Sequence, residues 1–504
     1  MRTLLFVYVP GVTVLMFLLF SGWSYDDPFI TYRYAENLRL GLGFVYNSGD
    51  RVLSTTTPLF TVLLAAAGTW FPDVPRVANL IGAISLPLGA IAIYSLAEEW
   101  EPRAVGWAGL LLYPTFPLLL NTLGSEMALY IALCLWAFAF YAQRRYNATA
   151  LCSALAFLTR ADGVLVALLL AADYVLHRPR RVPWSALFIF LGLTLPWMLF
   201  AWAYFGSPVP VTLAAKQHQG AMLTSQQFAP GLLTIIGGYA PKLGYWLEGA
   251  MALLGIIFTL GRNRHWILFL LWPAAYAAAY SALGVSRYFW YYAPLVPGLV
   301  VLVGVGMQVF LPQTPSTLVA QDSPRFGRIH LGSAISGRMV RLLPKLAFAA
   351  LLSLFITQGV HLLEMRQAPD ERIEIYRSIG QWLEANTPVG STIGTLETGV
   401  IGYYARRRMV DFAGLIQPDV ANRLTAETTY EDAAIWAIQR YHPEYIVLQE
   451  DIMPRLEQEY VWYHCWPAQY FSGKSHQYPA GISIFFCPET AATRIDKPER
   501  GRGD

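Results

Sequence analysis

Charged side chains are scarce in this sequence. Asp, Glu, Lys and Arg make up 14% of its 504 residues, whereas a soluble globular domain carries roughly a quarter. Hydrophobic residues make up 55%, and the mean hydropathy is +0.40. These values exclude a cytosolic enzyme and a disordered chain. The net charge of +3 is too small to indicate a nucleic-acid partner.

The deficit of charge is confined to one part of the chain. Residues 1–360 contain 35 charged side chains, about one in ten, whereas the last 144 residues contain 34, about one in four. The second value is ordinary for a water-soluble domain. We therefore predict a polytopic α-helical membrane domain over 1–363, an α/β domain over 366–490 and a disordered tail over 491–504.

Hydrophobic runs recur through the first part at close to the ~20 residues that cross a bilayer. They predict about eleven transmembrane helices. The first run follows only Arg2 and lacks a small-residue cleavage site, which indicates a retained anchor. Three runs, 126–142, 148–160 and 163–177, are short enough to be tilted or re-entrant. The eleven runs are 3–21, 77–97, 104–121, 126–142, 148–160, 163–177, 184–205, 242–260, 265–283, 290–310 and 344–363.

One further apolar stretch, Pro58–Phe71, has only 14 residues, which favours an interfacial or re-entrant helix. When this stretch is left out of the membrane, the basic loops all fall on one side, as the positive-inside rule expects of cytoplasmic loops. The amino terminus is then cytoplasmic, residues 22–76 form the first external loop, and the C-terminal domain lies outside the plasma membrane. The cytoplasmic clusters are Arg144–Arg145, Arg178–Arg181, Arg262–Arg264 and Arg325–Lys345.

Cysteine is almost absent, with four residues in the chain. Cys134 and Cys152 fall in predicted spans, where a small apolar thiol is unremarkable. Cys465 and Cys487 fall in the external domain, each at the end of an aromatic, strand-like stretch. We predict a disulfide between them because an exported compartment permits one. The alternative is a pair of buried free thiols.

Because acids are so few in the membrane part, the adjacent pair Asp26 and Asp27 stands out. The pair directly follows the first predicted span, on the external side. Asp27 precedes Pro28, a pattern typical of a helix start with Asp as N-cap. A cap does not explain Asp26, since two adjacent carboxylates repel each other unless one is compensated or used. We therefore predict that at least one is a base or a cation ligand, with Arg33 as a candidate compensating charge.

The other charges on the predicted external side are single. Each alone is typical of an interfacial anchor or an ion pair. Together they suit a reaction with an anionic, lipid-borne substrate, because Arg and Lys hold a phosphate leaving group and a carboxylate takes the proton from an attacking hydroxyl. These side chains are Glu126, Arg160, Asp162, Lys216 and Arg287, the last of which precedes Tyr288 in an aromatic segment.

Eight external segments share a pattern with one known class of proteins: Asp26–Asp27, Tyr32–Ala35, Gly41–Asn47, Gly49–Val52, Thr56–Phe60, Gly124–Glu126, Leu158–Gly163 and Tyr204–Lys216. This set resembles the GT-C class of integral-membrane glycosyltransferases, which use polyprenyl-phosphate-linked sugars as donors. Within the class it is most similar to the mycobacterial terminal arabinofuranosyltransferase group. The resemblance covers the whole chain, and its first-loop part is the most specific. The departures from the pattern are Asp50, Phe60, Ala161, Phe205 and Val211.

The resemblance implies a GT-C-like fold and an inverting transfer in one displacement. One carboxylate of Asp26 and Asp27, not specified by the pattern, is then the base that activates the acceptor hydroxyl, while lipid phosphate leaves from the opposite face of the sugar. Part of the class binds a divalent cation at the first-loop acids, but the sequence shows no second set of ligands, so no metal is assigned. The predicted substrate-binding residues are Arg33, Glu126, Arg160, Asp162, Lys216, Arg287 and Tyr288.

The external domain alternates helix-like and strand-like stretches, which predicts a small α/β fold. The domain is either a structural cover over the membrane part or a surface that binds an acceptor glycan through aromatics such as Tyr403, Tyr404 and Trp462. The predicted elements are a helix over Ile373–Glu384, a turn into a short helix over 399–404, and strands over Ser391–Leu396, Tyr445–Leu448, Val461–Trp466 and Ile482–Phe486.

The sequence therefore predicts a membrane glycosyltransferase that moves a sugar from a polyprenyl-phosphate donor to a glycan, lipid or protein acceptor of the cell envelope. The alternative function is a polytopic transporter or flippase of lipid-linked sugars. Such a transporter is expected to contain internal repeats and ionisable groups near the bilayer midplane. No repeat is evident, and the informative charges lie at the external edge. A non-catalytic scaffold with the same fold is a third interpretation.

Overall fold

The computed structural model describes residues 2–177, 182–262, 264–311 and 337–488. The basic residues between 178 and 181 and at 325 and 328, the side chains at 262, 264, 338 and 341, and the predicted tail 491–504 lie outside the described residues. The membrane part is built from helices, which are α1 (Arg2–Phe20), α2 (Pro28–Arg39), α3 (Pro58–Gly68), α4 (Val74–Trp100), α5 (Arg103–Leu112), α6 (Pro117–Asn121), α7 (Met127–Ala142), α8 (Tyr146–Thr159), α9 (Val164–His177), α10 (Trp184–Phe205), α11 (Val211–Ala221), α12 (Phe228–Tyr239), α13 (Leu243–Arg262), α14 (Arg264–Leu283), α15 (Val296–Met307) and α16 (Gly337–Gln367).

Every predicted hydrophobic run coincides with a helix, although two runs are interrupted. The run 104–121 is divided into α5 and α6, because Pro114, which follows the end of α5, has no N–H to continue the helix, whereas Pro117 occupies the first position of α6. The run 290–310 begins as a 3-10 helix containing Pro294 and continues as α15. By length and composition, six stretches of the described chain are able to cross a membrane, so the number eleven stays a prediction. The six are Val74–Trp100, Trp184–Phe205, Leu243–Leu260, His265–Leu283, Phe289–Phe310 and Leu342–Asn386.

The short apolar stretch of the first loop forms α3, which has 11 residues. At 1.5 Å per residue it is roughly 16 Å long, about half the thickness of the hydrocarbon core. Thr31 of α2 contacts Thr55 and Thr57, which precede α3, through hydroxyl hydrogen bonds of 3.1 and 3.2 Å. The two helices therefore pack together, and α3 is too short to cross a membrane.

The C-terminal α/β domain contains one five-stranded sheet with the order β2-β1-β3-β5-β4. Strands β2, β1 and β3 are parallel, whereas β5 runs antiparallel to both β3 and β4. Strands β1, β3 and β5 lie where the alternation of the sequence predicts them. The elements are α17 (Arg372–Asn386), β1 (Thr392–Thr395), α18 (Val400–Ala405), β2 (Arg408–Asp411), α19 (Pro418–Ala421), α20 (Tyr430–Tyr441), β3 (Tyr445–Gln449), β4 (Trp466–Phe471) and β5 (Ile482–Phe486).

The strand predicted over Val461–Trp466 is wrong. Helical turns run from Pro454 to His464, and the strand begins only at Trp466. Trp462 is 68% exposed and Tyr463 is 77% exposed. The aromatic run therefore does not alternate between core and solvent, as a half-buried strand would.

The four cysteines divide between the two parts of the protein. Cys134 and Cys152 are buried free thiols in α7 and α8. Cys465 and Cys487 form a disulfide, the pair that was predicted from the sequence. The bridge joins the residue before β4 to the residue after β5, so it closes the outer edge of the sheet.

The α/β domain packs onto the first loop through a shared hydrophobic core. Phe29 of α2 lies against Tyr403 of α18, with ring centroids 5.5 Å apart, and Tyr404 lies 6.0 Å from the same ring. Asn47 lies beside β2, where its Oδ1 accepts from the N–H of Met409 and its Nδ2 donates to the Met409 carbonyl, each at 2.9 Å. The loop and the domain thus form one packed unit, and the two tyrosines belong to its interior face.

Candidate active site

Asp27 forms an ion pair with a lysine that is distant in the sequence. It precedes α2, which begins at Pro28 as predicted, but its carboxylate makes no capping hydrogen bond. Oδ2 of Asp27 instead lies 3.3 Å from Nζ of Lys216, in α11. The Asp27 side chain is 31% exposed and the Lys216 side chain 10% exposed. The pair therefore combines a shielded cation with a carboxylate that a ligand can reach.

Aromatic rings surround the ammonium group of Lys216. Its Nζ lies 4.7 Å from the ring centroid of Tyr288, 5.2 Å from that of Trp290 and 5.4 Å from that of Tyr291. The Tyr288 hydroxyl donates to Oε1 of Gln219, one turn further along α11. Because the faces of aromatic rings attract cations, this surface stabilises the charge of Lys216 away from bulk water.

Asp26 faces the opposite direction, toward the C-terminal domain. Its Oδ1 accepts from the N–H of Val400 at 2.7 Å, and its Oδ2 accepts from the N–H of Gly399 at 3.2 Å. A Cβ atom at position 399 would lie 2.2 Å from the Asp26 carbonyl oxygen, so only glycine allows this approach. Burial raises the pKa of Asp26 to about 6, and the Asp27 charge adds to this effect, against the opposing N–H of Val400 and the charge of Arg372.

Arg33 does not compensate the two acids, contrary to the hypothesis drawn from its spacing. Its guanidinium is buried and donates to three backbone carbonyls, those of Tyr46 at 3.3 Å, Arg407 at 3.0 Å and Gly402. The last two belong to the C-terminal domain. Arg33 therefore fastens the first loop to that domain, and its predicted role in substrate binding has no support in this geometry.

Glu126, Arg160 and Asp162 form a second charged group. Nη1 of Arg160 lies 2.7 Å from Oε1 of Glu126, and its Nε lies 3.2 Å from Oδ2 of Asp162. The Tyr280 hydroxyl donates to Asp162 at 2.8 Å and accepts from Arg160 at the same distance. The side chains of the three charged residues are at most 11% exposed. Two acids thus compensate one cation, and Arg160 retains no free charge.

The two charged groups share one aromatic side chain. The Tyr291 ring centroid lies 5.9 Å from Cζ of Arg160 and 5.4 Å from Nζ of Lys216. The predicted residues Asp27, Glu126, Arg160, Asp162, Lys216 and Tyr288 are therefore brought together at one end of the helical bundle, beneath the first loop.

Arg287 lies apart from both groups. It is exposed, its backbone N–H donates to the carbonyl of Gln226 at 2.6 Å, and its side-chain carbons lie over Gly231 of α12. No acid in the described part of the chain forms an ion pair with it. Its predicted role in binding phosphate stays a prediction.

The acids do not provide a set of metal ligands. Over the described ranges, no group of three or more His, Cys, Asp or Glu side chains is arranged to hold a metal ion. A divalent cation prefers several oxygen ligands, whereas here Asp27 pairs with a lysine and Asp26 accepts from backbone N–H groups. The residues present thus do not fit such an ion.

Comparison with known proteins finds a curated protein of similar sequence and solved structures of similar fold. A terminal β-(1→2)-arabinofuranosyltransferase of Mycobacterium tuberculosis is 27% identical over 269 residues, which cover 48% of this chain and 42% of that protein. ArnT from Cupriavidus metallidurans, solved with undecaprenyl phosphate, has a TM-score of 0.59 at 17% identity and covers 95% of this chain and 97% of its own. The archaeal oligosaccharyltransferase AglB from Archaeoglobus fulgidus, solved with an inhibitory peptide and a dolichol-phosphate, has a TM-score of 0.54 at 13% identity and covers 99% of this chain and 75% of its own.

The fold is that of the GT-C glycosyltransferases. The predicted resemblance to this class and to its arabinofuranosyltransferases is confirmed. The chain is a multi-pass membrane protein, and it spans less than half the length of the arabinofuranosyltransferase that it matches. A model of a domain of unknown function (DUF8728) matches residues 364–486.

Several residues of the candidate site were not predicted from the sequence. Gln219 holds Tyr288, Tyr280 joins the second charged group, and Tyr291 contacts both groups. The available signal was the density of aromatic residues over 288–292, which is equally typical of a membrane-interface belt. Only the fold shows that this segment lies against Lys216.

Proposed function

We propose that this protein is a membrane glycosyltransferase that moves a sugar from a polyprenyl-phosphate donor to a hydroxyl group of an envelope glycan, lipid or protein. The observation that carries the proposal is the pair formed by Asp27 and Lys216, an accessible carboxylate beside a shielded cation. Such a transfer needs a base for the attacking hydroxyl and positive charge at the leaving phosphate. One pair at one end of a GT-C fold supplies both.

Asp27, rather than Asp26, is the base in this proposal. Both oxygens of Asp26 already accept backbone hydrogen bonds, whereas Asp27 has one contact and retains exposed surface. Asp27 takes the proton of the acceptor hydroxyl as the acceptor oxygen bonds to the anomeric carbon. The bond from that carbon to the phosphate oxygen breaks on the opposite face, and its electron pair leaves with the phosphate. The product therefore has the inverted anomeric configuration.

Lys216 stabilises the leaving phosphate. In the structure its ammonium group is 3.3 Å from Asp27, too close for a sugar ring to lie between them. The ammonium therefore moves from the carboxylate to the phosphate when the donor binds, which frees Asp27 to act as a base. Tyr288 and Trp290 remain beside the ammonium and shield it from water.

The relatives suggest the first donor to test. The curated relative is named an arabinofuranosyltransferase, and the solved neighbours hold undecaprenyl phosphate and a dolichol-phosphate. We therefore place polyprenyl-phosphoryl arabinofuranose first among the donors. The compensated group of Arg160, Glu126 and Asp162 is suited to the sugar hydroxyls. The reaction then takes place on the outer face of the plasma membrane, with the amino terminus in the cytoplasm and the C-terminal domain outside.

The test is transfer by the purified protein in detergent. A panel of polyprenyl-phosphoryl sugars is supplied with alkyl glycosides as acceptors, and the anomeric configuration of any product is determined by NMR. We expect transfer from at least one donor, with inversion. The proposal is overturned if wild-type protein transfers sugar from no donor, and replaced by the transporter interpretation if it then moves a labelled lipid-linked sugar across vesicles.

A further inference from the structure

The carboxyl ends of the parallel strands face the Asp26–Asp27 pair. The segment that follows β1 donates its Gly399 and Val400 N–H groups to Asp26. The segment that follows β2 accepts, at the carbonyl of Ala413, a hydrogen bond of 3.0 Å from Gln219 of α11. The C-terminal domain thus directs one edge of its sheet toward the proposed site.

This edge includes a point where the chain reverses its direction through the sheet. From β1 the chain passes through α18 to β2 on one side, and from β2 through α20 to β3 on the other side of β1. Helix α18 belongs to the core shared with the first loop, and α20 to a separate core on the other face. Open α/β sheets commonly bind ligands in the crevice beyond such carboxyl ends.

Glu397 lies at this edge of the sheet, two residues beyond the end of β1. It retains accessible surface, and no described residue donates a hydrogen bond to its carboxylate. Burial raises its pKa to about 8, and the neighbouring charge of Asp26 adds to this effect. Tyr430 at the start of α20 lies within electrostatic reach of both Glu397 and Lys216. Glu397 therefore lies within electrostatic range of Asp26, at the edge of the domain that contacts the first loop.

The other charged groups at this edge already have partners within the domain. Arg372 binds Asp370 through two hydrogen bonds of 2.7 and 2.9 Å. Asp411 is completely buried and accepts from the N–H groups of Ala413 and Ile416 in its own loop. A buried carboxyl group without hydrogen-bond partners costs free energy unless a ligand supplies them. Glu397 is the acid that has this capacity to spare.

We propose that Glu397 lines the acceptor subsite, where its carboxyl group exchanges hydrogen bonds with hydroxyl groups of an acceptor carbohydrate. Asp27 takes the proton from the reacting hydroxyl, and Glu397 holds neighbouring hydroxyls of the same acceptor from the opposite wall of the cleft. A polyol matches this wall because each of its hydroxyl groups can both donate a hydrogen bond to a carboxyl group and accept one from it. This inference rests on the glycosyltransferase function proposed above.

The experiment separates acceptor binding from donor chemistry. Transfer from a polyprenyl-phosphoryl sugar to an alkyl glycoside is compared with hydrolysis of the same donor by water, for Glu397→Ala, Glu397→Gln and wild type. We expect the alanine variant to raise the KM for the alkyl glycoside about 10-fold, the effect of losing one or two hydrogen bonds to the acceptor. Hydrolysis of the donor should stay within about twofold of wild type. Glu374→Gln, an exposed acid on α17, is the matched control and should change neither rate.

Each other outcome has a definite meaning. An unchanged KM for the alkyl glycoside in both Glu397 variants overturns the proposal, as does an equal fall in transfer and hydrolysis. Wild-type protein that neither transfers nor hydrolyses instead shows that the proposed function has failed. If the alanine variant melts earlier than wild type, the isosteric glutamine variant decides, with an expected rise in KM of about threefold.

Discussion

The charged side chains on the two sides of the first loop have different kinds of partners. On the side of the C-terminal domain, Asp26 and Arg33 contact backbone groups of that domain and are saturated by them. On the side of α11, Asp27 and Lys216 have each other and remain within reach of a ligand. Of the two adjacent carboxylates, Asp26 therefore holds the first loop to the C-terminal domain, and Asp27 is the candidate base.

The difference shows that the partners of a charged side chain indicate whether its role is structural or functional. Backbone N–H and C=O groups are fixed, so a side chain that contacts them holds elements together and has no capacity left for a substrate. A pair of flexible side chains at a cleft can separate when a phosphate arrives. The same reasoning ranks Lys216 above Arg160, whose charge is compensated by two acids.

The largest effect is expected from neutralising the accessible acid. Asp27→Asn should lower the rate of sugar transfer roughly 10³-fold, the usual contribution of a general base, with little change in melting temperature. Asp26→Asn should lower transfer only about tenfold while it lowers the melting temperature, because Gly399 loses its acceptor. Initial rates and thermal unfolding in detergent measure both. Equal rates for the two variants would erase the distinction between the two acids.

The next effect concerns the cation on the accessible side. Lys216→Met should lower the turnover number roughly 100-fold, since it removes charge stabilisation at the leaving phosphate. Lys242→Met is the matched control, because Lys242 pairs with Glu364 far from the site. It should retain wild-type activity. If the Lys216 variant alters only the KM for the acceptor, the lysine contacts the acceptor and not the phosphate of the donor, and the prediction is wrong.

The smallest effect is a pH dependence on the domain side. The pKa values of Asp26 and Glu397 are raised to about 6 and about 8 in the folded protein, chiefly by burial. As the pH rises from about 4 to 8, these acids ionise first in the unfolded chain, so folding is progressively disfavoured. The double variant Asp26→Asn, Glu397→Gln lacks this term. Between pH 4 and pH 8, the free energy of unfolding of the double variant should therefore rise by on the order of 2 kcal/mol relative to that of wild type.

Melting temperatures at several pH values measure the change. The other charges facing the pair, Asp27, Asp370, Arg372 and Asp411, are common to both proteins. Parallel melting curves for wild type and the double variant would show that the two carboxyls are solvated, and that the tie between loop and domain is weaker than inferred.

Much of the fold follows from local sequence. The eleven hydrophobic runs coincide with helices, because an apolar segment in a membrane must satisfy its backbone internally. The start of α2 follows from Asp27 and Pro28. Strands β1 and β3 follow from short apolar stretches typical of buried strands, and β5 follows from an aromatic, strand-like stretch. Prediction failed at Val461–Trp466, where a run rich in aromatics remains on the surface in helical turns. Residue types alone do not reveal whether such a run has a core to face.

The sequence by itself determined the class of protein, the division into two parts, and the prominence of two adjacent acids among few charges. The tertiary structure decided which acid is accessible. Asp27 and Lys216 are 189 positions apart, and Asp26 and Gly399 are 373 positions apart. Helix propensity and hydropathy depend on residues that are close in the sequence. The partner of a charged side chain depends on which distant segments the fold places beside it. The two acids are therefore distinguished only by the tertiary structure, in which Asp26 accepts hydrogen bonds from the C-terminal domain and Asp27 does not.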